Sequence, residues 1–143
     1  MNLKNNNLED FKINIRIKLS ALWGSVMFCY VYGDFFTLFV PGRIKGLADG
    51  TSGLGTTTPL TLLGFAIFMT LPSLMIFLSL VLKPKINRWI NISLGILCTA
   101  IMILIIISSM SEWMMFYIYF AFIEIILTSS IVWHAWTWPN QKD

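Results

Sequence analysis

Charge is scarce in this chain: Asp, Glu, Lys and Arg make up 12% of it, and histidine occurs once. A soluble domain usually carries about 25% charged residues, so a water-facing surface is lacking from the start. Only two cysteines occur, Cys29 and Cys98, and no CxxC or CxxCH string is present. That removes the usual signals of thioredoxin-like redox work and covalent haem attachment. A lone histidine, His134 among tryptophans, supports neither a zinc centre nor a bis-histidine haem. There is no phosphate loop, no Gly-x-Ser-x-Gly elbow and no His-Glu-x-x-His helix. No catalytic residue, metal or cofactor is therefore assigned.

What fills the chain is apolar: 57% of residues are hydrophobic and the mean hydropathy is +0.75. Four stretches approach bilayer length, at 19–40, 59–82, 89–107 and 110–136. Crossing a hydrocarbon core of ~30 Å takes ~20 helical residues. The expectation is an all-α, four-helix transmembrane bundle in the inner cell membrane, a single domain over 19–138. A polar, Asn-rich segment, 1–18, precedes it and a short tail, 139–143, follows. The extreme N-terminus, 1–10, reads as disordered and carries no recognisable cleavable signal. Cys29 and Cys98 fall at similar depth in their spans, so a bridge is geometrically conceivable, but inert buried thiols are the expectation.

Eight of the ten Lys and Arg residues lie before the first span, between the second and third, or at the C-terminus. Only Arg43 and Lys45 lie on the other side. The positive-inside rule places both termini in the cytoplasm. The net charge of +3 then reflects topology, and nucleic acid is not an expected partner. Anionic headgroups are, near Arg16, Lys18, Lys83, Lys85 and Arg88.

Several boundaries can be read directly. Residues 11–19 alternate apolar and polar, which suits a strand or an interfacial segment. The outer loop, 41–58, holds a candidate interfacial helix with Pro41 in its first turn and Gly50 at its left-handed end. Gly50 to Gly55 reads as a surface turn. Thr58-Pro59 caps the second span, Pro72 interrupts it and frees the Phe68 carbonyl, and Asn87 is the expected cap of the third. Ser109-x-x-Glu112 has the form of a capping box for the fourth. Trp133, Trp136 and Trp138 form a cytoplasmic aromatic belt, with Trp113 at the outer interface.

Polar groups inside the spans carry the functional signal, because a charge at the midplane of one helix costs ~2.5–3.5 kcal/mol. Glu124 lies near mid-depth in the fourth span and Asp34 in the outer third of the first. Helical spacing sets Trp23, Met27, Tyr30, Asp34 and Thr37 on one stripe, and Tyr117, Phe120, Glu124, Thr128 and Ile131 on another. Asn91, Gly95, Cys98, Thr99 and Met102 line the third helix, and Thr57, Thr61, Gly64, Phe68 and Pro72 the second. The candidate binding set is Glu124, Asp34, Tyr30, Tyr117 and Thr128. Two readings stay open for Glu124: a site that binds and releases a proton or cation, or a neutral carboxyl hydrogen-bonded to a tyrosine or threonine that fastens helices. Asp34 also suits a pairing with Arg43 or Lys45.

The strings Leu19-Ser-Ala-Leu-Trp23, Tyr32-Gly-Asp34 with Leu38 and Pro41-Gly42, Asn87-Arg88-Trp89-Ile-Asn91-Ile, Ile123-Glu124-Ile125 and Val132-Trp133-x-Ala-Trp136-x-Trp138 carry a resemblance. Together they resemble an uncharacterised family of small bacterial four-helix membrane proteins. Gly33 stands where that family suggests alanine, and His134 where it suggests tyrosine. A looser similarity is to DoxX-like proteins, which implies a quinone-linked role by analogy of fold. The leading expectation is a proton- or cation-linked transporter-like or solute-binding bundle, assembling as a homo-oligomer. The alternatives are a non-catalytic accessory membrane protein and a quinone-interacting redox component built on Arg88, Trp89 and the cytoplasmic tryptophans.

Overall fold

The computed structural model describes residues 12–52, 55–108 and 111–139. The disorder expected over 1–10 and the Ser109 end of the capping box lie outside them. Asn14 starts the first helix: its side-chain oxygen accepts the Arg16 backbone N–H at 3.0 Å, and helix α1 runs Ile15–Thr37. The alternating segment is thus largely absorbed into α1. Beyond Thr37 the hydrogen bonds tighten to three-residue turns, with Val40 N–H donating to the Thr37 carbonyl at 3.2 Å. Pro41 disfavours helical backbone at Val40, so α1 ends before the expected residue 40.

The loop helix exists as α2, Arg43–Ala48. Pro41 stands outside it, and Gly42 takes the left-handed conformation that turns the chain into it (φ 79°). Gly50 (φ 76°) fills the left-handed position beyond its end, as the sequence predicts. The presumed surface turn is a minimal hairpin, in which β1 (Thr51–Ser52) pairs antiparallel with β2 (Gly55–Thr56).

Helix α3, Pro59–Val81, begins with a reciprocal cap in which Thr58 and Thr61 each accept the other's backbone N–H. It keeps Pro72 inside and buried. Helix α4 runs Pro84–Ser108, so the third long helix starts at the proline and not at residue 89. Proline is well suited to a first helical turn. Asn87 consequently sits within α4, its backbone N–H donating to the Lys83 carbonyl at 2.9 Å; it does not cap α4, and its side chain instead donates to the Ser79 carbonyl in the last turn of α3. A 3-10 turn, Glu112–Met114, leads into α5, Met115–Trp136.

Successive long helices run antiparallel. Helix α1 packs between α3 and α5, and α5 packs on α4. The ends of α1 and α5 nearest the chain termini therefore share one end of the bundle, and α2 lies at the opposite, loop end. The core is a seam of Leu19, Trp23, Val26 and Tyr30 from α1, Met75 from α3, Ile92, Cys98 and Met102 from α4, and Ala121, Ile131 and Ala135 from α5. The outward surface is apolar, with Leu60 77%, Ile107 70% and Phe77 62% exposed, which suits hydrocarbon and not water. Three helices, Pro59–Val81, Pro84–Ile107 and Glu112–Trp136, are long and apolar enough to cross a membrane.

Burial along α3 is uneven. Pro72, Met75 and Ser79 are buried, whereas every residue from 59 to 67 is exposed. The expected interior stripe through Thr61 and Gly64 therefore does not face the bundle. Helix α3 is fastened to α1 at the termini end, where Ser20 Oγ donates to the Ile76 carbonyl at 2.7 Å and Arg16 Nη1 to the Leu80 carbonyl at 3.0 Å.

Candidate functional site

Two polar systems lie inside the bundle. The first is wholly structural in its geometry. Trp23 Nε1 donates to Asn91 Oδ1 at 2.7 Å; Asn91 Nδ2 donates to Asn87 Oδ1 at 2.7 Å; Asn87 Nδ2 donates to the Ser79 carbonyl at 2.6 Å. An indole N–H only donates, which fixes the orientation of both amides in turn. All four side chains are fully buried and tie α1, α3 and α4 together. Asn87 and Ser79 were missed as partners of Asn91; a helix start at Pro84 would have set Asn87 one turn before Asn91, whereas Ser79 reaches it from α3 through tertiary packing.

The second system surrounds Glu124. A cavity between α1 and α5 is lined by Cys29, Tyr30, Gly33, Tyr117, Phe120, Ala121 and Glu124. Its volume is about 10 Å³ for the centre of a water-sized sphere, room for a single water. Glu124 is 3% exposed and Tyr30 5%. Among the described residues the Tyr30 hydroxyl meets no nitrogen or oxygen partner, and the Cys98 thiol beside it is a weak one. Among the described residues, nothing hydrogen-bonds the Glu124 carboxyl. Gly33 admits the Tyr117 ring: a methyl built on it would meet Tyr117 Cε2 at 3.7 Å.

Of the five candidate residues, the cavity brings together Glu124, Tyr30 and Tyr117. Thr128 is elsewhere. Its Oγ1 lies 2.8 Å from the Glu124 backbone carbonyl and 2.7 Å from Thr99 Oγ1, fastening α5 to α4. Asp34 is exposed and lines neither space, within electrostatic reach of Arg43, Tyr117 and Glu124. Among the described residues it forms no ion pair; Thr37 Oγ1 donates to its backbone carbonyl at 2.6 Å. Helix α3 contributes no lining residue, so the Phe68 carbonyl takes no part.

Above the cavity, toward the loop end, Phe36, Phe39, Val40, Trp113, Phe116 and Phe120 line an open apolar groove of about 310 Å³. Phe36 stacks on Phe120 with ring centroids 6.2 Å apart. Phe120 lines both spaces. The groove was not anticipated; the Phe-rich end of α1 was its only signal.

At the termini end, Lys18, Lys83 and Lys85 are exposed. Arg88 is not free in the same way: Nη2 donates to the Trp136 carbonyl at 3.1 Å and its guanidinium lies 5.8 Å from the Trp136 ring centroid. Trp133 and Trp136 are exposed there, and Trp113 is exposed at the loop end, whereas Trp138 tucks partly against the core. Cys29 and Cys98 are both free thiols. Among the described residues no cluster of three His, Cys, Asp or Glu has metal-binding geometry.

A family model described as a family of unknown function (DUF6326) matches residues 7–143, nearly the whole chain, and the chain belongs to that family. No curated protein matches the chain, and no solved structure does.

Proposed function

We propose that this member of the DUF6326 family is a four-span membrane protein, termini cytoplasmic, whose Glu124 is a protonatable site inside the bundle. The four-span topology is supported by the antiparallel order of the long helices and by the basic residues gathered at the termini end. Helix α1, Ile15–Thr37, is as long as the others but the least apolar of the four, with Asp34 and several Ser, Gly, Tyr and Trp residues in its membrane-length stretch. Exposed Lys18, Lys83 and Lys85 suit anionic headgroups on that side.

One observation carries the functional reading. A carboxyl that only fastened helices would spend its hydrogen-bonding capacity on a neighbour, as Thr99 and Thr128 do. Glu124 instead faces a water-sized cavity, beside a Tyr30 hydroxyl whose one partner among the described residues is the weakly bonding Cys98 thiol. Buried polar groups left without partners are rare and favour a functional explanation. The size of the cavity favours a proton carried on water over a hydrated ion or a solute.

Infrared titration of the purified protein tests this. The expected result is a protonated-carboxyl stretch that titrates with pH in the wild type and is missing in Glu124→Gln. Proteoliposomes loaded with a pH dye should lose pH-linked exchange in the same variant. An identical carboxyl band in both proteins would refute the assignment.

A further inference from the structure

We propose that the groove and the Glu124 cavity together form a binding site for a lipophilic cation that enters from the loop end. This rests on Glu124 being an addressable site, and goes further by naming the ligand class. The groove supplies aromatic faces from Phe36, Trp113, Phe116 and Phe120. Aromatic faces attract cations, and the attraction strengthens out of water. One turn of α5 from Phe120, which lines both spaces, Glu124 is 3% exposed, and its carboxyl has no hydrogen-bond partner among the described residues. An apolar ligand carrying a delocalised or shielded positive charge matches both features: its bulk fills the groove, and its charge lies against Phe120 with Glu124 as counter-charge.

The wider charge pattern agrees. All four described acids, Asp34, Asp49, Glu112 and Glu124, lie in the loop-end half or at mid-depth, against two cations there, Arg43 and Lys45. Arg43 is within electrostatic reach of Asp34, which offsets it and leaves Glu124 uncompensated. An anion of the same shape would meet the opposite field. The cavity itself admits only a water, so the bulky part of the ligand stays above Phe120.

Calorimetric titration of the detergent-purified full chain, against an empty-micelle blank, tests this with tetraphenylphosphonium and its anionic isostere tetraphenylborate. Tetraphenylphosphonium should bind, with tetraphenylborate at least about tenfold weaker. Glu124→Gln should weaken tetraphenylphosphonium about tenfold, and Phe36→Leu, which keeps bulk but removes a ring face, by several-fold. Circular dichroism of each variant checks that it is folded. Equal binding of the two ions, undiminished binding by Glu124→Gln, or no binding of tetraphenylphosphonium overturns the proposal. Any of these with a titrating Glu124 carboxyl band removes this inference alone; loss of the band removes the protonatable-site reading instead.

Discussion

The Trp23 indole N–H meets the Asn91 side-chain oxygen at 2.7 Å, deep in a seam where neither residue has any exposed surface. That bond joins the first helix to α4 across a distance of 68 residues in sequence. It also begins the Asn91–Asn87–Ser79 relay, so one substitution disturbs three helices.

Asn91→Ala should destabilise the protein more than Trp23→Phe. The first orphans the Trp23 donor and the Asn87 acceptor, each worth about 1–3 kcal/mol in a dry interior. The second orphans only Asn91 Oδ1, which keeps Ser79 Oγ at 3.5 Å. Measured helix–helix hydrogen bonds in membranes average about 0.6 kcal/mol, so the expected losses are at the low end, about 2 and about 1 kcal/mol. Thermal unfolding in detergent, followed by circular dichroism, reads the order; a reversed order refutes the relay.

The two glycines on the α5 interface should respond oppositely to alanine. A methyl on Gly95 would lie 2.7 Å from Val132 Cγ2 and 3.3 Å from the Thr128 carbonyl, so α4 and α5 must separate. Gly95→Ala is expected to cost about 1–3 kcal/mol through overpacking. Gly33→Ala meets only the Tyr117 ring at ordinary contact distance and should gain about 0.5–1 kcal/mol from helix propensity. The same unfolding measurement compares them, and equal effects would contradict the packing described.

Glu124→Leu should raise stability while abolishing the titrating carboxyl band. Replacing an unpartnered buried polar group with an apolar one of similar volume is expected to gain about 1 kcal/mol. A helix-fastening carboxyl gives the opposite sign. A lower melting temperature for Glu124→Leu therefore points to a partner for the carboxyl.

Thr99 and Thr128 should be coupled. Each hydroxyl has one hydrogen, so the contact between them is made either by Thr99 donating to Thr128, which donates to the Glu124 carbonyl, or by Thr128 donating to Thr99, which donates to the Gly95 carbonyl. A double-mutant cycle with Thr99→Val and Thr128→Val is expected to give a coupling energy of about 0.6 kcal/mol, and no coupling would show the contact to be idle.

The sequence revealed what helical geometry and local capping dictate. Glu124 was placed inside because seven residues bring it back over Tyr117, and the Thr58-Pro59 start was legible because its hydrogen bonds are local. Thr128 shows the limit of the same argument. Four residues on from Glu124 the helix has advanced about 6 Å along its axis, past the cavity, to where Thr99 of α4 meets the side chain. Asn87 was misread as a cap because Pro84 offered a competing start. The exposure of the first half of α3 follows from where neighbouring helices lie, which no periodicity within α3 encodes.

The directional bonds between helices are distributed unequally. Arg16 to Leu80, Ser20 to Ile76, the Trp23–Asn91–Asn87–Ser79 relay and Arg88 to Trp136 all lie toward the termini. Toward the other end, α1 and α5 meet through stacked rings such as Phe36 and Phe120, which can slide without breaking a bond. The molecule is built like a peg with a stiff spring at the termini and ring-lined jaws at the loop end, and Glu124 lies between the two.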